Sequence, residues 1–335
     1  MIRSLYRAPD GQVRIDLRPD EFSTALHDAG SLLWVDLGDE PGDVCERILR
    51  EIFGFHPLAV EDALNQSHVP RVDDWGEYLY IVLHAITFAL SDGNESDVAQ
   101  RKVASLELDL FVGSQYLVTY QSEDITAVGR MWVACQRDAR RLNKGIAHLL
   151  CELADALVAD CMPVVERLDE AIDRVEERVF TDPDPTLLEQ ILALRRAVIH
   201  LRRFIAPQRE VLNNLARRDY AVIATGDRIF FRDIYDHLVR LYDINESLRD
   251  RVGGATEAYL SVVNNRMNDI VKTLTIVTAF FMPLSFITGF FGMNFFQAVA
   301  PPGAWTGEAV FVLTLTAMML TPVGMYLWMR KRAWM

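Results

Sequence analysis

Between Lys272 and Glu308 the chain passes through 35 uncharged residues, and between Glu308 and Arg330 through another 21. Nothing else in the sequence restricts the fold as strongly. A hydrocarbon core about 30 Å thick takes about 20 helical residues to cross, and Leu274–Phe291 and Ala309–Met329 each have that length. A core hairpin of a water-soluble protein is the competing reading, but such a core rarely runs so far with one charge. The pattern predicts a transmembrane hairpin.

The rest of the chain is its opposite. Of 47 acidic and 34 basic residues, the stretch after Lys272 holds one acid (Glu308) and three bases (Arg330, Lys331, Arg332). Residues 1–272 therefore carry 46 acids (47 less one) and 31 bases (34 less three), a net charge of −15. A body this acidic is a poor partner for nucleic acid. With half of all residues hydrophobic, it has the material for a packed core and is not a disordered chain.

Basic residues set the expected orientation. Arg266 and Lys272 precede the first span, Arg330-Lys331-Arg332 follow the second, and the loop between has no Lys or Arg. The positive-inside rule puts both termini in the cytoplasm and the loop outside, as in a cell (inner) membrane protein. The start, MIRSLYRAPD, has no apolar stretch of the kind a cleaved leader needs. The four cysteines form no CxxC pair, so neither a disulfide framework nor a zinc knuckle is expected.

Along the chain, Leu32–Leu37 and Tyr78–Leu90 read as strands, and Ala104–Tyr120 as a hairpin turning at Gly113-Ser114. Pro41–Phe53 and Pro57–Leu64 read as short helices, so a sheet covered by helices is expected. Leu149–Phe180 and Pro185–Leu215 carry apolar residues at helical spacing, and Thr181-Asp182-Pro183-Asp184-Pro185 breaks them into an antiparallel hairpin. From about Asp233 to Phe291 one continuous helix is expected, about 90 Å long. Gly253-Gly254 is its weak point, read equally as a hinge or as a site of close packing.

The predicted organisation is an α+β cytoplasmic domain (1–125), a helical hairpin region (126–227), the cytoplasmic part of a long stalk helix (228–272), a first span (273–291), an outer loop (292–308), a second span (309–329) and a basic tail (330–335).

One stripe on the long helix repeats without a break. Glu257, Ser261, Asn264, Asn268, Val271, Thr275, Thr278, Met282, Ser285 and Gly289 follow one another in alternating steps of four and three. Within the span this stripe is mostly small or polar, while its surroundings are largely Leu, Ile, Val and Phe. Small residues allow close helix packing in a membrane. Polar residues in a span also face a bundle interior or a wet cavity, and several copies could place the stripe around a pore.

The first span ends in Gly292-Met293-Asn294. This tripeptide, with the second span and basic tail behind it, resembles the CorA family of magnesium and cobalt transport proteins. The likeness extends to Asn268–Thr275, to Phe281–Gly289, to Phe231–His237 and to Glu61–Leu64 with Pro70-Arg71. It implies a funnel-shaped homopentamer passing Mg²⁺, and also Co²⁺ or Ni²⁺, inward through one pore. By position it makes Gly292, Met293 and Asn294 the selectivity filter. Gly289, Ser285, Met282 and Asn268 match pore positions, with Met282 at a hydrophobic constriction and Arg330, Lys331 and Arg332 in a basic ring. Regulatory Mg²⁺ bound between subunits would close the channel, with Asp233 as one ligand. The matching N-terminal position holds Ala89, which leaves Asp92, Glu95 and Asp97 as candidates, and Asp92 is the one taken here. A second departure is an outer loop whose one acid is Glu308.

Mg²⁺ and related divalent ions, membrane lipid and other copies of the chain are the partners expected, without an organic cofactor. The sequence lacks GxxxxGK[ST], HExxH and GxSxG, so no enzyme is expected. A ZntB-like zinc transporter and a non-conducting two-span sensor or scaffold are the alternatives.

Overall fold

The computed structural model describes residues 2–65, 69–88, 103–293 and 307–332. It divides into two compact units, Met1–Tyr259 and Leu260–Met335.

The first unit is built on a seven-stranded sheet in the order β2-β1-β3-β7-β6-β5-β4. The strands are β1 (Ile2–Arg7), β2 (Val13–Ile15), β3 (Leu32–Gly38), β4 (Arg71–Asp74), β5 (Leu79–Phe88), β6 (Val103–Val112) and β7 (Tyr116–Gln121). All neighbours run antiparallel except β3 and β7, which pair in parallel with Val35 opposite Val118. The predicted hairpin is present: β6 and β7 flank Gly113-Ser114, and Gly113 N–H donates to Tyr116 O at 2.9 Å.

β3 shows why the sheet is central. Its run LLWVDL is buried throughout, as a strand covered on both faces must be. Leu33, Val35 and Leu37 join a core with Phe22 of α1 (Pro19–His27), Ile48 and Leu49 beyond α2 (Gly42–Arg47), and Val60 of α3 (Pro57–Asn65). Trp34 points the other way, edge-on to Trp132 of α4 (Thr126–Arg137) at 4.9 Å. On that second face Asp36 is buried, with Thr119 Oγ1 and Gln121 Nε2 donating to it and Arg3 Nε donating at 2.8 Å. Burial pushes the Asp36 carboxyl up, while the Thr119 hydrogen bond and the Arg3 charge oppose that shift.

Two long helices follow, α5 (Ile146–Thr181) and α6 (Pro185–Arg217). The Thr181–Pro185 break falls where proline and aspartate predict it. Asp184 caps α6 by accepting from Leu187 N–H at 2.7 Å, the usual role of an Asp before a helix whose first residue is proline. Each helix also holds a proline in its interior, Pro163 and Pro207.

α7 then runs unbroken from Arg228 to Gly292. Gly253 and Gly254 are exposed within it, and nothing lies within 4 Å of a Cβ placed on either, so close packing inside the chain does not explain them. Up to Tyr259 the helix buries Phe231, Ile234, Leu238, Leu241, Asn245, Leu248, Val252, Ala255 and Tyr259. This seam lies along the α5–α6 pair: Tyr259 Oη donates to Asp184 O at 3.2 Å, and Arg202 of α6 donates to Tyr242 Oη at 3.2 Å.

The sequence carries Arg195, Arg196, Arg202 and Arg203 along α6, with the acids of α5 as their expected partners, and Arg202 departs from that expectation. Its guanidinium meets Glu246 of α7 at 3.1 Å. The α5 acids Asp169, Asp173 and Glu176 instead surround Arg251 of α7, with Arg251 Nη2 at 2.6 Å from Glu176 Oε2. Hydrogen bonds from this guanidinium, led by the one to Glu176, push its pKa up despite partial burial. Geometry decides the choice of partner, because an antiparallel neighbour and a parallel neighbour offer different faces at the same level.

The second unit contains the end of α7 and α8 (Glu308–Lys331). Among the described residues, two helices are long and apolar enough to cross a membrane, Thr225–Phe290 and Phe311–Lys331. Both carry an internal proline, Pro283 and Pro322, which membrane helices accommodate.

Candidate functional site

The site is built on the last nine turns of α7. From Val271 to Phe290, Ile276, Ala279, Phe280, Pro283, Leu284 and Ile287 are the residues that are partly covered. Val271, Thr275, Thr278, Met282, Ser285 and Gly289 are all exposed, Val271 at 53% and Met282 at 68%. At 100° per residue the two sets are centred about 150° apart around the helix. The small and polar stripe thus lies away from the partly covered side, on an open surface that it shares with Leu274, Phe281 and Phe286. Asn268, Asn264 and Glu257 continue it, also exposed.

Local hydrogen bonding determines what this face offers. Thr275 Oγ1 donates to Val271 O at 2.8 Å, and Thr278 Oγ1 donates to Leu274 O at 2.9 Å. A hydroxyl has one proton and two acceptor lone pairs, so a threonine whose proton is directed into its own helix presents only acceptors outward. Water bound to a cation presents hydrogens. The stripe is therefore suited to the hydration shell of a cation rather than to an anion.

At the C-terminal end of α7, Gly292 closes the helix and Met293 is exposed, its N–H directed at Phe290 O at 3.4 Å. Asn294 lies outside the described residues, as does Asp92. At the other end of the chain's apolar stretch, Arg330, Lys331 and Arg332 close α8 exposed, with Arg332 near the Trp328 ring at 6.0 Å. Placing three basic side chains at a helix C-terminus is favourable to the helix dipole.

Asp233 stands exposed two turns into α7. Burial raises the Cys151 thiol to about 12, with smaller contributions from the charges of Asp155, Glu152, Asp227 and Asp233. The acids of α5 and of the start of α7 thus share one neighbourhood. Among the described residues, however, no three His, Cys, Asp or Glu side chains come together to hold a metal ion. All four cysteines are free and buried, and burial raises Cys45 and Cys135 to about 11 and Cys161 to about 12.

Sequence reasoning locates the stripe and misses the buried face of the same helix. Asn245 and Arg251 belong to that face. Asn245 could have been found by counting the seam from Phe231 in steps of three and four, where it is the one amide. Nothing in the spacing pointed from Arg251 to α5.

Comparison with known proteins agrees with this architecture. The profile of the family described as CorA-like Mg²⁺ transporter protein matches residues 29–331. The cobalt/magnesium transport protein CorA of Thermotoga maritima is 33% identical over 317 residues, covering 92% of this chain and 85% of that protein. The cobalt/magnesium transport protein CorA of Methanocaldococcus jannaschii is 25% identical over 320 residues, 94% of this chain and 96% of its own. The complete structure of the CorA magnesium transporter from that organism superimposes with a TM-score of 0.79, covering 99% of this chain and 98% of that one at 22% identity. With the α/β unit, the single long helix and the two apolar helices in the same order, the chain belongs to the CorA family of divalent-cation transport proteins.

Proposed function

We propose that the chain forms a Mg²⁺ channel that carries the ion inward down its electrochemical gradient and closes when cytoplasmic Mg²⁺ is high. The observation that carries this reading is the regular exposed row of Thr275, Thr278, Ser285 and Gly289 on a stretch of α7 whose other exposed side chains are mostly apolar. Five copies around an axis would turn five such stripes inward and remove them from lipid. Mg²⁺ gives up its waters reluctantly, and rings of threonine and serine acceptors can hold those waters without stripping them. Co²⁺ and Ni²⁺, of the same charge and similar hydration, would share the path.

In this arrangement Gly292, Met293 and Asn294 of five chains surround the outer mouth. A neutral amide oxygen accepts from the ion's waters without a fixed charge that would trap it. Met282 forms a ring of apolar side chains able to close the path by dewetting. The chain sits in the inner membrane with both termini in the cytoplasm, and Arg330–Arg332 ring the cytoplasmic end. Each charge gains about 2.3 kcal/mol per 100 mV, so a divalent ion gains about 4.6 kcal/mol without nucleotide hydrolysis.

For closure, Asp233 is the proposed carboxylate ligand of regulatory Mg²⁺. Its hard oxygen suits the ion, and a single chain supplies too few partners around it, so a neighbouring chain would complete the site, with Asp92 the candidate residue. The test is uptake into proteoliposomes with Mg²⁺ or Zn²⁺ outside. Mg²⁺ uptake that Asn294→Ala abolishes or makes unselective supports the reading. Unchanged selective uptake in that variant overturns the filter, faster Zn²⁺ than Mg²⁺ uptake makes the chain a zinc transporter, and no uptake of either makes it a scaffold.

A further inference from the structure

The seam that α7 turns toward α5 and α6 is a nine-position row in steps of three and four, from Phe231 to Tyr259. Eight of the nine positions are apolar or aromatic. The fifth, Asn245, is fully buried, and neither its Nδ2 nor its Oδ1 has a hydrogen-bond partner. A buried amide left unsatisfied destabilises the packing around it.

Asn245 also divides two kinds of attachment. Ahead of it the seam is large and apolar, with Phe231, Ile234, Leu238 and Leu241 all buried. Behind it the buried seam continues as Leu248, Val252, Ala255 and Tyr259, with smaller side chains at its centre, and polar contacts join it: Arg251 with Asp169, Asp173 and Glu176, and Arg249 with Glu246 at 2.8 Å. Those charges are partly exposed, Arg251 at 31% and Asp173 at 65%, so salt screens them in a way it cannot screen the apolar half.

The neighbouring helices are weakened at the same level. His237 approaches Asp155 at 3.8 Å, and Arg251 pairs with Asp169, two contacts each 82 residues apart. Asn245 is therefore level with Pro163 of α5. On α6, Arg202 meets Glu246 and Arg209 lies over the Tyr242 ring at 4.5 Å, which brings Pro207 within about one turn of the same level. Each proline removes a backbone hydrogen bond from its helix and favours a bend there.

We infer that the level of Asn245 is a fulcrum, about which the 245–259 stretch of α7 swings away from α5 and α6, and that the Arg251 cluster is the latch that holds it in place. The arm is 14 residues, about 21 Å long, so a tilt of about 15° moves its end by about 5 Å. Arg251 is suited to the latch because one planar guanidinium serves several carboxylates at once. The seam supplies the complementary property, since an amide that lacks a partner in the closed position is relieved where opening lets water reach it.

The experiment uses the full chain in lipid nanodiscs, with spin labels at Glu170→Cys and Gly254→Cys and labelled chains diluted into unlabelled ones. Pulsed dipolar spectroscopy reads the α5–α7 distance directly, so the result does not depend on conduction. In the otherwise native protein a component about 5 Å longer grows as salt rises from about 0.05 M to about 1 M. Asn245→Leu, which fills the seam with an apolar side chain, abolishes that component and raises the melting temperature. Asn245→Val gives the same result should leucine not fit. Arg251→Gln shows the longer distance already at low salt. A single salt-independent distance in the native protein, an unaltered long component in both Asn245 variants, or an Arg251→Gln variant that keeps the short distance would overturn the inference.

Discussion

In the unit ending at Tyr259, Asp109 is buried with Tyr80 Oη donating to it at 2.6 Å, and Phe111 stacks on Phe55 at 4.3 Å. In the unit beginning at Leu260, Met282 and Phe286 stand 68% and 72% exposed. The first unit supplies the partners of these side chains from within itself. The second leaves its largest apolar side chains and its most regular polar stripe uncovered, so lipid and other protein must finish what the chain begins. Sequence alone separates the two by charge, and the structure separates them by whether each is complete.

That contrast can be tested by equal substitutions on either side. Phe111→Ala is expected to destabilise the first unit by about 3–5 kcal/mol, read as a lower denaturant midpoint of the full chain in detergent. Phe286→Ala, the same change in the second unit, is expected to leave that midpoint in place. If both variants shift it alike, the contrast fails.

Thr278→Val is next in size. It keeps the shape and removes the outward acceptor, so stability holds while Mg²⁺ uptake falls about tenfold, equivalent to about 1.4 kcal/mol. Equal uptake would show that the stripe packs rather than conducts.

A pH experiment sharpens the description of the first unit. Burial holds the Asp109 carboxyl well above the usual carboxylate range. A raised carboxyl contributes most below its unfolded value, about 3.9, and that contribution is lost as pH rises through the folded value. Asp109→Asn should flatten the pH dependence of stability across that interval while keeping an acceptor for Tyr80. An unaltered curve would place the pH dependence elsewhere. The smallest effect is expected at Arg130, paired with Asp160 at 2.7 Å on the surface: Arg130→Ala should cost below about 1 kcal/mol in the same melts.

The features legible in the sequence were those with a local cause. Gly113-Ser114 fixes the β6–β7 turn, Asp184-Pro185 starts α6, and the absence of charge marks the two apolar helices, each within a few neighbouring residues. The α7 stripe was legible because its period is carried along one helix. β1 and β2 were not, since Ile2–Arg7 is short and owes its place to β3. The parallel pairing of β3 with β7 and the Arg251 cluster join residues about 80 apart, and no spacing rule reaches across that distance. Asn294 and Asp92 remain residues whose proposed roles rest on resemblance.

The β3–β7 pairing also puts the molecule on a clock. Trp34 Nε1 donates to Thr119 Oγ1 across 85 residues, so the centre of the sheet cannot close until β7 has been synthesised. At 5–20 residues per second that wait is roughly 4–17 s. β3 is buried on both faces in the finished sheet, and during this interval it is an apolar strand without its neighbour. The interval nevertheless ends about 150 residues before the first charge-free stretch is made. The sheet can therefore close before any part of the chain that needs a bilayer exists, and an unpaired β3 and the apolar helices need never be exposed together.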